Sequence, residues 1–270
     1  MLEFEILACG LYRPDQLDIT YNPSLRMPTD PAIQQWMDDL WTQKLLIARE
    51  KGIPLFDAPL YRFVDVEARA DGILHLTLGD TGYKEYVTTR VPEFYMGRQR
   101  QELGNALSVC SVVETSDGYI LLDKRQGVDV YAGRYHVIGG FFERDRDSLG
   151  DAQPDPFGAI RREIREETGI QSADIHQQYC LGAVYDQATP HAELCFITRL
   201  HISLAEVKTR VPEEDEIKQL ETLYVTGQSL RAFIEKHHGN ISATGEPNLL
   251  LYGELHFGKQ WLDDILAQIL

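Results

Sequence analysis

The first long amphipathic pattern in the chain follows Asp30-Pro31 and stops at Gly52. Apolar residues recur there at helical spacing, in a stripe that includes Trp36 and Trp41. An acceptor side chain before proline is a strong helix start, and glycine is a strong stop. A tryptophan stripe is more typical of a packed core than of a cofactor platform. The pattern predicts an N-terminal helix with a buried tryptophan face.

Strand-like patterns stand on both sides of this helix. Residues 2–9 suit a short strand, and apolar and polar residues alternate over 63–68 and 73–78. The dipeptide Asp71-Gly72 joins the last two runs, which predicts a β-hairpin.

A drop in hydrophobicity over residues 97–100 predicts a domain boundary. We therefore divide the chain into an N-terminal domain, 1–100, and a second domain, 101–270. A chain of 270 residues, 43% of them hydrophobic, is long enough to bury a core in each.

The second domain alternates strand and helix patterns. Its strand-like runs are 106–115, 119–124, 135–140, 178–185, 193–202 and a stretch about residue 223. Its helical patterns are 155–169, 229–238 and part of 247–270, where one face is apolar. Strands in this order between helices predict an α/β fold, an α/β/α sandwich with a mixed sheet, preceded by a smaller α+β domain.

Charge and composition exclude several classes of partner. A formal net charge of −16 without any run of basic residues argues against binding to nucleic acid or to an anionic membrane. A small phosphorylated ligand remains compatible, because a metal and a few arginines suffice to hold it.

Features of targeting and crosslinking are also missing from the sequence. No apolar run approaches the length of a membrane span, and the N-terminus MLEFEILACG lacks the basic region of a signal peptide. The four cysteines, Cys9, Cys110, Cys180 and Cys195, are scattered, which favours free thiols over a zinc site or disulfides. The sequence predicts a soluble, cytoplasmic protein, and a homodimer is compatible with it.

The residues that imply a chemistry lie on the helix predicted for 155–169. Glu163, Glu166 and Glu167 are spaced i, i+3 and i+4, so their carboxylates project from one side. A hard cation such as Mg²⁺ would offset their repulsion and is often held by carboxylates together with substrate phosphates. This predicts attack of water on a phosphoryl group. Three glutamates alone are also common on a solvated helix face.

A longer sequence pattern favours a metal site over a solvated helix face. REIREETGI, from Arg162 to Ile170, with Gly139-Gly140 and Glu143 upstream, resembles the Nudix box. The Nudix family consists of Mg²⁺-dependent hydrolases that cleave nucleoside diphosphates linked to another moiety. The resemblance implies the Nudix α/β/α sandwich, and it adds Glu143 as a candidate metal ligand, directly or through water.

The resemblance also implies individual roles. Glu163, Glu166 and Glu167 are expected to bind metal and carry catalysis, with Mn²⁺ as an alternative to Mg²⁺. Arg162 is expected to orient a glutamate by an ion pair, and the Gly140 region to turn a backbone carbonyl toward metal.

The chain departs from the family pattern between the glycines and the helix. Gly140 lies 22 residues before Arg162, further than in the family's box, and the excess falls in DRDSLGDAQPDPFG. The glutamate expected midway is absent, and Arg146 or Pro154 stands there. We expect the insertion to form a loop before the helix.

Acids after the box offer a further role. Many Nudix enzymes bring in a loop acid that binds another metal or deprotonates water, and Glu214, beside Asp215 and Glu216, is our candidate. Glu193 is the second choice, and a solvated loop is the alternative for the first three. The eight histidines show no metal-ligand spacing, so we expect them to be structural or on the surface.

The N-terminal domain gives the clue to substrate. LFDAPLYRF, LGDTGYKEY and LGNAL resemble the Nudix branch that includes animal uridine diphosphate glucose pyrophosphatase and its plant relatives. Arg62, Tyr83 and Arg90 are our candidates for substrate contacts from this domain. The expected activity is cleavage of a nucleotide sugar, first a UDP-sugar, to a nucleoside monophosphate and a sugar phosphate. Hydrolysis of ADP-ribose or another nucleoside diphosphate derivative, and a non-catalytic nucleotide sensor, are the alternatives.

Overall fold

The computed structural model describes residues 2–126, 130–150, 153–213 and 219–269. In chain order, its strands are β1 (Phe4–Tyr12), β2 (Leu17–Tyr21), β3 (Pro59–Ala68), β4 (Leu74–Gly82), β5 (Leu107–Glu114), β6 (Tyr119–Lys124), β7 (Tyr135–His136), β8 (Ile138–Phe141), β9 (Ser148–Leu149), β10 (Gln153–Pro154), β11 (Ile175–Asp186), β12 (His191–Leu200) and β13 (Leu220–Tyr224). The helices are α1 (Pro31–Lys51), α2 (Tyr83–Thr89), α3 (Pro92–Tyr95), α4 (Pro156–Thr168), α5 (Leu204–Val207), α6 (Gly227–His237), α7 (Gly245–Phe257) and α8 (Lys259–Ile269).

A mixed sheet forms the centre of the second half of the chain. Its strand order is β1-β11-β12-β5-β6-β13, with β7 beside β6 and β8 beside β5. Strands β12 and β5 run parallel, whereas the other pairings are antiparallel. The mixed sheet expected from the strand patterns is confirmed.

Helices cover both faces of this sheet. On one face, α4 buries the stripe of Phe157, Ile160 and Ile164. On the other face, α6, α7 and α8 bury a second set of apolar side chains that includes Ile234 and Ile265. Each fully buried side chain of this size stabilises the fold by roughly 1.5–3 kcal/mol relative to an exposed one. The α/β/α sandwich is therefore confirmed.

A second, three-stranded sheet lies on the same face as α4. Its order is β2-β4-β3, and β3 and β4 form the antiparallel hairpin expected around Asp71-Gly72. Leu74, Leu76 and Leu78 of β4 are fully buried in the core that α4 also enters. Strand β1 instead pairs with β11 in the main sheet. The division of the chain at residue 100 stays a prediction.

The ends of α1 agree with the sequence, but its burial does not. The side chain of Asp30 accepts a hydrogen bond from the Ile33 N–H at 2.8 Å, and Gly52 ends the helix at φ 66°. Met37 is the one α1 residue that is buried, and Trp36 is 36% exposed. The expectation of a buried tryptophan face is wrong, because α1 lies at the surface and buries only an edge against a small cluster with Phe94.

Two further expectations change in detail. The tail pattern after residue 247 is divided into α7 and α8 by Gly258, whose φ of 85° breaks the helix. The insertion before α4 is not only a loop, because β9 and β10 pair as a short antiparallel ribbon. Within the described ranges, no helix has the length and apolar character needed to cross a membrane.

Candidate active site

Helix α4 is fixed at both ends by its own sequence. The carboxylate of Asp155 accepts a hydrogen bond from the Gly158 N–H at 2.9 Å, and Pro156 occupies the first turn. Gly169 ends the helix in the left-handed region at φ 75°. Because the apolar stripe of α4 is buried, its glutamates face strand β8 and a cavity.

This cavity has a volume of about 460 Å³ and is mainly polar in its side chains. Four glutamates form one wall of the cavity, called the acidic wall below. Glu163, Glu166 and Glu167 come from α4, and Glu143 follows β8. Gly140 lines the same wall. The structure therefore brings together five of the six predicted metal-binding residues. The sixth, Glu214, lies outside the described residues, as do Asp215 and Glu216.

Gly140 of β8 allows the sheet to approach α4 closely. A Cβ atom at Gly140 would lie 2.5 Å from a carboxylate oxygen of Glu163. The backbone N–H of Gly139 donates a hydrogen bond to Glu167 at 3.2 Å. Any side chain at residue 140 would push Glu163 away, which is the physical need for glycine at this position.

Arg162 lies at the centre of the acidic wall. Its Nε and Nη2 atoms each donate to one oxygen of Asp147 at 2.7 Å. Its Nη1 atom donates to Glu163 at 2.8 Å and to Glu166 at 3.0 Å. Burial alone would lower the pKa of Arg162, but the hydrogen bonds and charges of Asp147 and Glu163 raise it overall. The guanidinium thus orients two box glutamates at once.

Asp147 is a site residue that the sequence analysis missed. It belongs to the insertion, its carboxylate is buried, and it also accepts a hydrogen bond from the Glu143 N–H at 2.8 Å. Because it pairs with Arg162, we predict that it takes the place of the acid absent from the middle of the box. The sequence did place an acid seven residues after Gly140. Because of the insertion, however, it was not evident which residue of the chain corresponds to the glutamate in the middle of the box.

Arg146 lies beside the same carboxylates. Its guanidinium donates to Glu166 and lies 3.5 Å from a carboxylate oxygen of Glu143. Burial raises the pKa of Glu143, and the charges of Arg162 and Arg146 oppose that rise. Hard carboxylate oxygens are suitable ligands for Mg²⁺. As the side chains lie now, however, no three acidic, histidine or cysteine residues in the described ranges are grouped closely enough to hold a metal ion.

These contacts suggest that Arg146 and a metal ion compete. We expect Arg146→Gln to tighten Mg²⁺ binding by about 2- to 10-fold, because the tethered positive charge no longer offsets the carboxylates. Calorimetric titration of Mg²⁺ into the nucleotide-free protein measures the change. Arg231→Gln, on α6 and ion-paired with Glu235, is the control for loss of one positive charge. Unchanged or weaker Mg²⁺ binding in Arg146→Gln would contradict the expectation.

A second polar group also lines the cavity. It contains Asp123 on β6, His136 on β7, and His191 and Glu193 on β12. Burial raises the pKa of Asp123 to about 6, and burial lowers the pKa of His136 well below its ordinary value. Burial also raises the pKa of Glu193. The sheet turns both histidines toward the cavity, and the expectation that the histidines are structural or on the surface stays a prediction.

Two of the three N-terminal residues that we predicted to contact substrate lie at the cavity, and the third does not. Tyr83 and Arg90 line the cavity, together with Tyr86, which accepts a hydrogen bond from Arg90 at 3.0 Å. Arg62 is not among the lining residues. Its buried guanidinium donates to backbone carbonyls, with the shortest contact, 2.7 Å, at Gln101.

Comparison with known proteins gives one match to a family. The model of the NUDIX domain matches residues 104–244, more than half of the chain. No curated protein sequence matches the chain.

Solved structures give weaker similarities. A protein from Deinococcus radiodurans is 17% identical, with 54% of this chain and 80% of that chain covered and a TM-score of 0.37. The MutT protein of Methanosarcina mazei Go1 is 18% identical, with coverages of 56% and 94% and a TM-score of 0.36. A bifunctional NMN adenylyltransferase/ADP ribose pyrophosphatase of Francisella tularensis, complexed with AMP and a manganese ion, is 15% identical, with coverages of 57% and 42% and a TM-score of 0.39.

Proposed function

Because the chain belongs to the Nudix family of phosphoanhydride hydrolases, we propose that it cleaves the diphosphate of a nucleotide sugar, a UDP-sugar first of all. The products would be a nucleoside monophosphate and a sugar phosphate. One observation carries the proposal: a cavity joins the box glutamates to aromatic and basic residues of the N-terminal segment. A site for the diphosphate and a site for its substituents therefore share one space.

The acidic wall is the proposed site of bond cleavage. Glu163, Glu166 and Glu167 would hold Mg²⁺ or Mn²⁺, with Glu143 directly or through water. When bound, the metal neutralises phosphate charge and makes water a better nucleophile. Arg162 contributes by holding Glu163 and Glu166 at fixed distances, so that little reorganisation is needed when substrate binds.

A proton acceptor for the attacking water is also required. Glu193 lines the cavity, and its pKa is raised by burial, which makes it a better base than an ordinary glutamate once ionised. We propose Glu193 for this role among the described residues. Glu214, our first candidate, retains the same proposed role from its position in the sequence.

The N-terminal segment is the proposed source of specificity. LGDTGYKEY, which resembles the UDP-glucose pyrophosphatase branch, passes from β4 into α2 and carries Tyr83 and Tyr86 to the cavity. The two tyrosine rings meet edge to face at 6.2 Å, and Tyr86 also meets Phe141 at 5.4 Å. Aromatic rings with Arg90 beside them are suited to contact a planar base.

The proposal is tested by a substrate panel. Purified protein with Mg²⁺ is incubated with UDP-glucose, UDP-galactose, ADP-glucose and ADP-ribose, and products are separated by chromatography. We expect kcat/KM to be highest for a UDP-sugar, with UMP as a product. Preference for ADP-ribose would reject the UDP-sugar assignment and keep the acidic site. Nucleotide binding without any cleavage would indicate a sensor instead.

A further inference from the structure

Asp123 has a buried carboxylate oxygen without a partner. The residue is 9% exposed and lines the cavity. Its Oδ1 atom is buried and accepts no hydrogen bond from any residue in the described part of the chain. A buried polar atom left unsatisfied costs about 1–3 kcal/mol, more when the group is charged. Such a cost is commonly met where a ligand completes the hydrogen bonds.

The surroundings of Asp123 limit what that ligand is. Asp123 faces His136 across the β6–β7 pair, and burial keeps His136 neutral. The Nδ1 atom of His136 lies 2.6 Å from the Ser242 hydroxyl, and its Nε2 atom lies 3.8 Å from Glu193. Ser242 and Glu193 also line the cavity. This part of the cavity thus offers acceptors and neutral hydroxyl or imidazole groups, and Arg125, which also lines the cavity, adds one positive charge near Asp123 and His136.

Hydrogen-bonding capacity limits which part of the substrate satisfies Asp123. A diphosphate carries only acceptor oxygens, so it cannot donate the hydrogen bond that the buried oxygen of Asp123 lacks, and the box glutamates already offer the metal site that a diphosphate requires. A planar base is better matched by the aromatic wall at Tyr83 and Tyr86. Hydroxyl groups remain, because they donate hydrogen bonds without carrying charge and carboxylates accept them strongly.

We propose that Asp123, with His136 and Ser242, forms the binding site for the sugar hydroxyls of the substrate, Asp123 accepting a hydrogen bond from at least one of them. This inference rests on the proposed hydrolysis of a nucleotide sugar. It makes Asp123 a determinant of sugar binding rather than of bond cleavage.

The test compares two ligands that differ by the sugar. UDP and a UDP-glucose analogue with a methylene group in place of the bridging oxygen are titrated calorimetrically, with Mg²⁺, into wild type and Asp123→Asn. We expect Asp123→Asn to weaken analogue binding by about 10-fold or more and UDP binding by less than about 2-fold. Asp264→Asn, an exposed aspartate on α8, is the matched control and leaves both affinities unchanged.

The outcomes separate the inference from the proposed function. Equal weakening of both ligands would overturn the sugar site, because Asp123 would then contact the nucleotide or act through the fold. No weakening of either would overturn it too. Turnover of UDP-glucose by wild type is measured in parallel. If wild type cleaves it and Asp123→Asn shows no ligand-dependent loss, only the inference fails. If wild type neither cleaves nor binds any nucleotide sugar, the proposed function fails first and the inference with it.

Thermal unfolding provides a second readout. The pKa of Asp123 is raised in the folded state, so its contribution to stability is present at low pH and is lost as pH rises through about 6. At pH 8 we therefore expect Asp123→Asn to melt at the same temperature as wild type or higher, while analogue binding falls. A large loss of melting temperature would assign Asp123 to the fold instead and overturn the sugar site.

Discussion

Replacing Glu166 with glutamine is expected to lower kcat at least ~100-fold without unfolding the protein. Glu166 is buried in the acidic wall, and Arg162 donates to one of its oxygens at 3.0 Å. The amide of glutamine keeps an oxygen that accepts this bond, but it loses the charge that a metal ion requires. Steady-state rates with the best substrate of the panel, measured at saturating Mg²⁺, give the effect.

The fold of Glu166→Gln is expected to survive. Arg162 retains its two bonds to Asp147 and its bond to Glu163. Replacing one of several adjacent carboxylates also reduces repulsion among them, which offsets part of the attraction lost to Arg146 and Arg165. We expect the free energy of unfolding to change by less than about 1.5 kcal/mol. Glu235→Gln, at an exposed position on α6, controls for the removal of a carboxylate and should keep wild-type rates. A near-normal rate for Glu166→Gln with Mg²⁺ bound would reject the assignment of this wall as the catalytic centre.

Asp147→Ala is expected to have the largest effect on stability, a loss of about 3–5 kcal/mol in the free energy of unfolding. The pair of Arg162 and Asp147 is buried, with side chains 8% and 1% exposed. Removing the aspartate leaves the guanidinium buried with one strong partner fewer, and it also removes the acceptor for the Glu143 N–H. Urea unfolding followed by circular dichroism measures the loss.

The neighbouring acid provides the matched control. Asp145 is exposed, so Asp145→Ala should change stability by less than about 0.5 kcal/mol. Asp147→Glu should recover part of the loss, because a longer carboxylate still reaches Arg162. If Asp147→Ala were as stable as wild type, the insertion would not substitute for the absent acid of the Nudix box. Activity is read as well, since loss of the Asp147 contact frees Arg162 to move away from Glu163.

The two variants separate two functions of one charged network. Glu166 is expected to matter for the reaction and little for the fold, whereas Asp147 is expected to matter for both. The reason is geometry: Asp147 receives two hydrogen bonds at 2.7 Å from a buried arginine, and Glu166 shares that arginine with two other acids. Removing Asp147, which holds the arginine in place, is therefore expected to cost more stability than removing Glu166, which the arginine orients.

Local patterns were enough to predict the elements that carry the chemistry. Asp155, Pro156 and Gly169 define the ends of α4 through capping and backbone preference, which depend only on neighbouring residues. The spacing of Glu163, Glu166 and Glu167 likewise follows from the pitch of one helix. The hairpin of β3 and β4 was predictable for the same reason, because Asp71-Gly72 encodes its turn.

Burial was harder to predict because it depends on what is packed alongside. Trp36 and the helical stripe of α1 have the pattern of a core helix, yet α1 lies at the surface beside α2. Periodicity shows that one face differs from the other, but it does not say how much partner surface is available to cover that face. Strand β1 is a similar case, because only the assembled sheet shows that it pairs with β11.

The sequence by itself determined the class of fold, the box helix with its glutamates, and the expectation of phosphoanhydride chemistry. Only the tertiary structure decided which distant residues complete the cavity, Asp123 and His136 from neighbouring strands and Tyr83 from the N-terminal segment, and that Asp147 of the insertion supports its wall through Arg162. The physical reason is range. Capping, turn chemistry and helical pitch act within a few residues. A cavity is instead formed by segments that meet only when the sheet and the helices pack. The sequence around an isolated residue therefore does not show which distant residues it will lie beside.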